Sequence, residues 1–157
     1  NGKLAIKSGN LSNGSFFNEI LINSNYVGDK IELSNSKLLN KKIGSLKLDY
    51  GNIYLEDNDI LFKGKFSFEI FDKKRFYRKF LVPKKSQKDL EKVYFGLIYN
   101  LSKSDAKIFF ISLNDDKPEM SDNLDNLIYG FNNNSITVNN WISLRSFINK
   151  ILSSYPG

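Results

Sequence analysis

The chain contains neither Cys nor His. This removes thiolate nucleophiles, Ser-His-Asp chemistry, imidazole acid–base catalysis and every zinc site built from those side chains. What remains is carboxylate chemistry, a Ser-Lys pair, or hard-metal binding through oxygen ligands. Two carboxylate pairs, Asp57-Asp59 and Asp115-Asp116, stand in polar turn sequence beside strand-like runs. A calcium loop requires D-x-[DN]-x-[DN]-G and a distant Glu; Asp57-Asn58-Asp59 lacks the Gly and the frame, so solvated turn residues are expected. Ser102-Lys103-Ser104 brings hydroxyl and amine close, but a Ser-Lys catalyst needs a desolvated lysine and this run is a polar loop. Four N-x-S sequons, at Asn10, Asn13, Asn100 and Asn133, matter only in a glycosylating host. No catalytic, cofactor-binding or metal-binding residue is assigned. The expectation is a protein that binds or builds without enzymatic activity and without a cofactor.

Charge supplies the first binding candidate. The net charge is +6, and the segment 72–92 holds nine basic and three acidic residues, so it carries the whole excess. Lys73, Lys74, Arg75, Arg78, Lys79, Lys84 and Lys85 are the candidates for contact with an anionic surface, interleaved with Phe76, Tyr77 and Phe80 and followed by Tyr94. The segment is mostly Lys, with three Arg in the whole chain, which disfavours nucleic acid, where fork-like recognition prefers Arg. The alternatives are an anionic lipid surface and a solvated loop or edge strand defended by lysine.

The second candidate is an apolar sheet face. Leu46, Leu48, Ile53, Leu55, Ile60, Phe62, Phe66, Phe68 and Ile70 alternate with Lys, Ser, Asp and Glu, and period two means one wet face and one apolar face. Leu46, Leu48, Ile53, Leu55, Phe62, Phe66 and Phe68 form either core beneath helices or an uncovered groove for acyl chains. Alternation does not separate the two.

The elements that must position these residues follow from period and turn chemistry. The chain, 41% apolar and rich in aromatics that favour strands, fits one domain over 1–157, and is expected to be a fragment of a longer protein. Residues 1–71 read as a β-meander, with strands at 16–22 and 30–33 and consecutive short strands from 43 to 71 broken by turns at Tyr50-Gly51-Asn52 and Glu56-Asp57-Asn58-Asp59. The basic segment 72–92 follows; Ser86 and Asp89 resemble a helix cap, on a window too short for a helix. Residues 93–113 read as two strands joined by Ser102-Lys103-Ser104-Asp105. After Pro118 the period changes to helical: Leu124, Leu127, Ile128 and Phe131, then Trp141, Leu144, Ile148, Ile151 and Leu152 behind a cap at Asn139 or Asn140, place two helices in 121–153. The fold class expected is α+β, mainly β: an antiparallel twisted sheet covered on one side by C-terminal helices. An unpaired edge strand offers a route to another protein.

No apolar run approaches the ~20 residues that span a bilayer, and no signal peptide is visible. The sequence opens on Asn1-Gly2 without Met and enters a strand pattern within three residues, from which an upstream segment, with any membrane anchor, is expected.

A repeat links the two ends of the meander. Residues 2–11 match 44–53 as G-x-L-x-[IL]-x-x-G-N-[LI], a strand, a Gly-Asn turn and the start of a return strand. With the closing helix, this pattern resembles the AsmA-like superfamily, including TamB-type bridge proteins, whose segments carry strings of G-x-L-x-I-x-x-G-x-I strands. The matching residues are Gly2, Leu4, Ile6, Gly9 and Leu11, then Gly44, Leu46, Leu48, Gly51 and Ile53, and the run 59–68 resembles the family's next strand. The resemblance covers residues 1–70. It implies a parent chain anchored in the inner membrane that extends through the periplasm as a twisted β groove, acting in lipid transport toward the outer membrane with no catalytic residues. The alternative from another class is a protein-binding or adhesive ectodomain, such as a pilin-like subunit without its membrane helix.

Overall fold

The computed structural model describes residues 2–8, 16–114 and 122–155. They form strands β1 (Gly2–Ser8), β2 (Glu19–Val27), β3 (Lys30–Glu32), β4 (Ser36–Asn40), β5 (Gly44–Glu56), β6 (Asp59–Ile70), β7 (Lys92–Asn100) and β8 (Asp105–Leu113), with helices α1 (Lys73–Lys79), α2 (Asp122–Asn132) and α3 (Trp141–Ser154). Every strand pair is antiparallel, in the order β1-β2-β3-β5-β6-β7-β8, with β4 sharing the slot of β3 between β2 and β5. This is the mainly β, α+β architecture expected, with the C-terminal helices on one side of the sheet. Neither β4 nor α1 is among the expected elements.

The turn expected at Glu56-Asp57-Asn58-Asp59 is present. Asp57 and Asn58 both take left-handed backbone angles, φ 49° and 65°, as a two-residue hairpin of type I′ requires. The turn expected at Tyr50-Gly51-Asn52 is not. There β5 continues without a break through a bulge: Leu48 pairs with Phe66 and Tyr50 with Lys65, leaving Asp49 as the extra residue. The apolar positions change parity between Leu48 and Ile53, and a bulge restores them to one face as effectively as a turn would. Gly51 then pairs with Gly64, and Ile53 with Phe62. A Cβ at Gly51 would lie 2.6 Å from Leu48 Cδ2, and one at Gly64 would lie 2.6 Å from Phe62 Cζ, so the glycine pair makes a hollow that these side chains fill.

The second copy of the repeat is therefore strand throughout, and the Gly9-Asn10 turn of the first lies outside the described residues. With three pairings between them, β1 and β5 also run in opposite directions, so the copies are not equivalent units of a stacked array.

The helices start where polar caps permit. Asn140 Oδ1 accepts from Ser143 N at 2.9 Å and Ser143 Oγ accepts from Asn140 N at 3.1 Å, closing a reciprocal cap on α3. Trp141, Leu144 and Ile148 are half-buried and Ile151 and Leu152 buried, as expected, and Phe147 joins them at 7% exposure. Asp72 caps α1, its carboxylate accepting from Arg75 N at 2.9 Å. Phe76, Tyr77 and Phe80 then turn inward, so this part of the basic segment is a docked helix and neither a solvated loop nor an edge strand. Ser86 lies in one turn of 3-10 helix, Lys84–Ser86, in place of the cap considered for it.

Two carboxylates at the starts of strands tie the sheet. Asp59 accepts from the Lys103 ammonium and from Asn100 Nδ2, and Glu19 pairs with Lys41. Lys103, with Asn100 adding to it, holds the Asp59 carboxyl below the usual range, and Lys41 does the same for Glu19. Folded values below the unfolded ones mean that this stabilisation is complete above the unfolded carboxylate pKa and is lost as pH falls through the folded one. Urea denaturation from neutral to acidic pH is expected to show a smaller acid-side loss of stability in Asp59→Asn than in the wild type. Superimposable profiles would mean that the Asp59 contacts contribute nothing.

Candidate functional site

Strand register assigns each side chain to a face. From β1 to β7 one row reads Ser8, Ile20, Leu38, Leu46, Phe68 and Val93; the next reads Ile6, Ile22, Ser36, Leu48, Phe66 and Phe95. Farther along lie Tyr26, Ile31, Ile53, Phe62 and Tyr99, then Leu55 with Ile60. All seven candidates, Leu46, Leu48, Ile53, Leu55, Phe62, Phe66 and Phe68, thus share one face, as period two requires.

The helices cover only part of that face. Helix α2 packs along β8, and α1 and α3 lie over the end marked by Ile43 and Ile70, where Phe76, Phe80, Leu113, Leu124, Phe147 and Leu152 form the core. Farther out, Leu4 is 58% exposed, Ile6 48%, Ile31 38% and Leu55 68%. The same face is core at one end and bare at the other.

Where covered, it is not filled. Between sheet and helices lies an open cavity of about 450 Å³, lined by Leu46, Phe68, Val93, Phe95, Phe147 and Ile148 among other apolar side chains. That volume falls within the usual range for small-molecule sites of about 300–1,000 Å³. Its aromatic wall joins four elements of the chain: the Phe16 and Phe80 rings stand 5.6 Å apart, Phe80 and Trp141 5.2 Å, and Phe68 and Phe76 5.8 Å. Such a lining offers nondirectional apolar contact and few hydrogen bonds, which suits a hydrocarbon and not a polar substrate.

The basic residues lie on α1 and the turn that follows it, which also carry Phe76 and Phe80 of this wall. Lys79 lies over the Trp141 ring at 5.3 Å. Lys73 donates to Asp89 and stands 3.8 Å from Glu91, which together hold its ammonium above the usual lysine range. Arg75 pairs with Asp72 at 3.1 Å. Lys74, Arg78, Lys84 and Lys85 are exposed and have no carboxylate partner among the described residues. The rings that alternate with them are not at the surface: Phe76, Tyr77 and Phe80 are 3%, 6% and 4% exposed, because α1 turns its aromatic side to the core. The spacing of Phe76, Tyr77 and Phe80 behind Asp72 was the available signal for this helix.

The other candidates are structural where they can be seen. Asp57 is in the hairpin turn, and Ser102 Oγ accepts from Ile60 N at 3.0 Å. Asn100 and Asn133 bond to neighbouring backbone, while Asn10, Asn13, Asp115 and Asp116 lie outside the described residues. Among the described residues no three acidic side chains are grouped to hold a metal ion, and no helix is long and apolar enough to cross a membrane.

Comparison of the chain with protein-family models, curated proteins and solved structures found no match.

Proposed function

We propose that the chain binds acyl chains along the apolar face of its sheet, as a non-enzymatic segment of an inner-membrane-anchored periplasmic β-scaffold for lipid transport or outer-membrane biogenesis. The observation that carries this reading is continuity: Phe68 and Leu46 line the cavity, and Leu38 and Ile20 extend their row across the sheet to the bare wing. Lys74, Arg78, Lys84 and Lys85, exposed and without a carboxylate partner among the described residues, favour a lipid as occupant, since a phosphate headgroup would meet cations on the segment that supplies Phe76 and Phe80 to the cavity.

A fluorescent fatty acid is expected to be taken up by the wild type and bound about tenfold or more weakly by Ile6→Gln/Ile31→Gln/Leu55→Gln, since covering an aliphatic side chain contributes on the order of 1.5–3 kcal/mol. All three are exposed, so folding should survive. In the same assay series, Lys73→Gln/Lys74→Gln/Lys84→Gln/Lys85→Gln should lose binding to anionic vesicles at low salt with little change in stability. Absent uptake, or undiminished uptake by the folded triple variant, would exclude the reading. Equal binding to anionic and neutral vesicles would leave the lysines as a solubilising surface.

One observation favours the second reading, a protein-binding ectodomain. Asn132 bonds both Ile108 N and Ile108 O at 2.8 Å and so blocks the β8 edge, whereas β1 has no strand on its outer side among the described residues. Strand addition at β1 is the interaction this asymmetry permits.

A further inference from the structure

The sheet face turned away from the cavity holds a depression of about 470 Å³ over β4 to β7. Register brings lysines together there. Lys37 and Lys47 stand opposite each other across β4 and β5, Lys65 lies on the next strand beyond the bulge, and Lys92 lies at the far side. Two carboxylates share the depression: Asp49, which pairs with Lys47 at 3.0 Å, and Glu69, opposite both Ser45 and Lys92. Lys37, Lys65 and Lys92 have no ion-pair partner among the described residues. Directly opposed like charges destabilise a sheet, and an oxyanion placed between them reverses the sign of that interaction.

Hydroxyls converge on the same place. Ser45 is 3% exposed and lines the depression, yet its hydroxyl has no hydrogen-bond partner among the described residues. The Ser67 and Tyr94 hydroxyls line it as well, also without partners among those residues. Lining the depression without a protein partner, these hydroxyls can donate to a ligand oxygen placed there. Four ammonium groups against two carboxylates leave a surplus of two positive charges, and a phosphomonoester carries about −1.5 to −2 at neutral pH. Lysines acting as point charges, with hydroxyl donors between them, suit a tetrahedral oxyanion.

We propose that this depression binds a phosphate group, carried by a small organic phosphate or by a lipid headgroup. It lies on the opposite face from the acyl-chain site and does not depend on it.

The test is calorimetric titration of the full chain with inorganic phosphate and with glycerol phosphate, alongside co-sedimentation with phosphatidic acid vesicles. Lys37→Gln/Lys65→Gln should weaken binding about tenfold or more, and Tyr94→Phe by several fold, as expected for lost charge-assisted hydrogen bonds. Both affected side chains of the double variant stand in solvent, and its thermal midpoint checks the fold. Binding of the free phosphates identifies a soluble ligand, and binding of vesicles alone, abolished in the double variant, identifies a headgroup. No binding in any arm, or binding unchanged in the folded double variant, overturns the site.

Discussion

Replacing Phe76 by Ala is expected to cost about 3–5 kcal/mol of stability, the range for deleting a buried aromatic side chain. Phe76 is 3% exposed, with its ring 4.7 Å from that of Phe80 and 5.8 Å from that of Phe68. It joins the α-helix of the basic segment, α1, to the sheet, and its loss opens a void where four elements meet. Lys74, two residues earlier on the exposed side of α1, is the control: Lys74→Ala should change stability by no more than about 0.5 kcal/mol. Urea denaturation with unchanged slope reads both values. A loss below about 1 kcal/mol for Phe76→Ala would show that α1 is not docked, and the basic surface would then be a detachable segment.

Leu124→Ala is expected to cost about 2–5 kcal/mol, whereas Leu55→Ala should stay within about 0.5 kcal/mol of the wild type. Leu124 belongs to the helical layer and Leu55 to the sheet face that this layer partly covers. Leu124 is 1% exposed on α2, which packs along β8; Leu55 is 68% exposed on β5, beyond the reach of the helices. The contrast measures how far the core extends. If both cost several kcal/mol, something covers the outer wing in solution, and the apolar face is core there as well.

The physical reason for the bare wing is dimensional. Seven strand positions at about 4.8 Å spacing span roughly 29 Å across, and the sheet order gives seven such positions. The longest helix among the described residues, α3, has 14 residues and is about 21 Å long at 1.5 Å per residue. With α2 lying along β8 and α1 at the Ile70 end, the helices run out before β2. Lipid on this face and phosphate on the other would occupy opposite faces of one sheet, so variants at Leu55 and at Lys37 should act independently.

How much of this is written locally can be judged residue by residue. Leu124, Leu127, Ile128 and Phe131 repeat at helical spacing, and Asn140 with Ser143 supplies a cap, so α2 and α3 are legible from neighbours three and four positions apart. Helix α1 has the same kind of signal, Asp72 before Phe76, Tyr77 and Phe80, but it is only seven residues long and its lysines dominate the composition. Gly51-Asn52 has the composition of a turn, yet it lies inside a strand, because partner strands on both sides supply hydrogen bonds that a local pattern does not encode.

By itself, the sequence determined the mainly β class, the two C-terminal helices, the Asp57-Asn58 hairpin and the single apolar face from Leu46 to Phe68, because each rests on contacts within a few residues or on strict alternation. It also determined that no Cys or His chemistry is available. Only the tertiary structure decided that Leu113 is core while Leu55 is bare, and that Lys37, Lys47, Lys65 and Tyr94 share one depression with Ser45. Alternation records which side of a strand a residue takes; what lies over that side depends on the reach of helices distant in sequence, and which residues meet across strands depends on a register set by a bulge at Asp49.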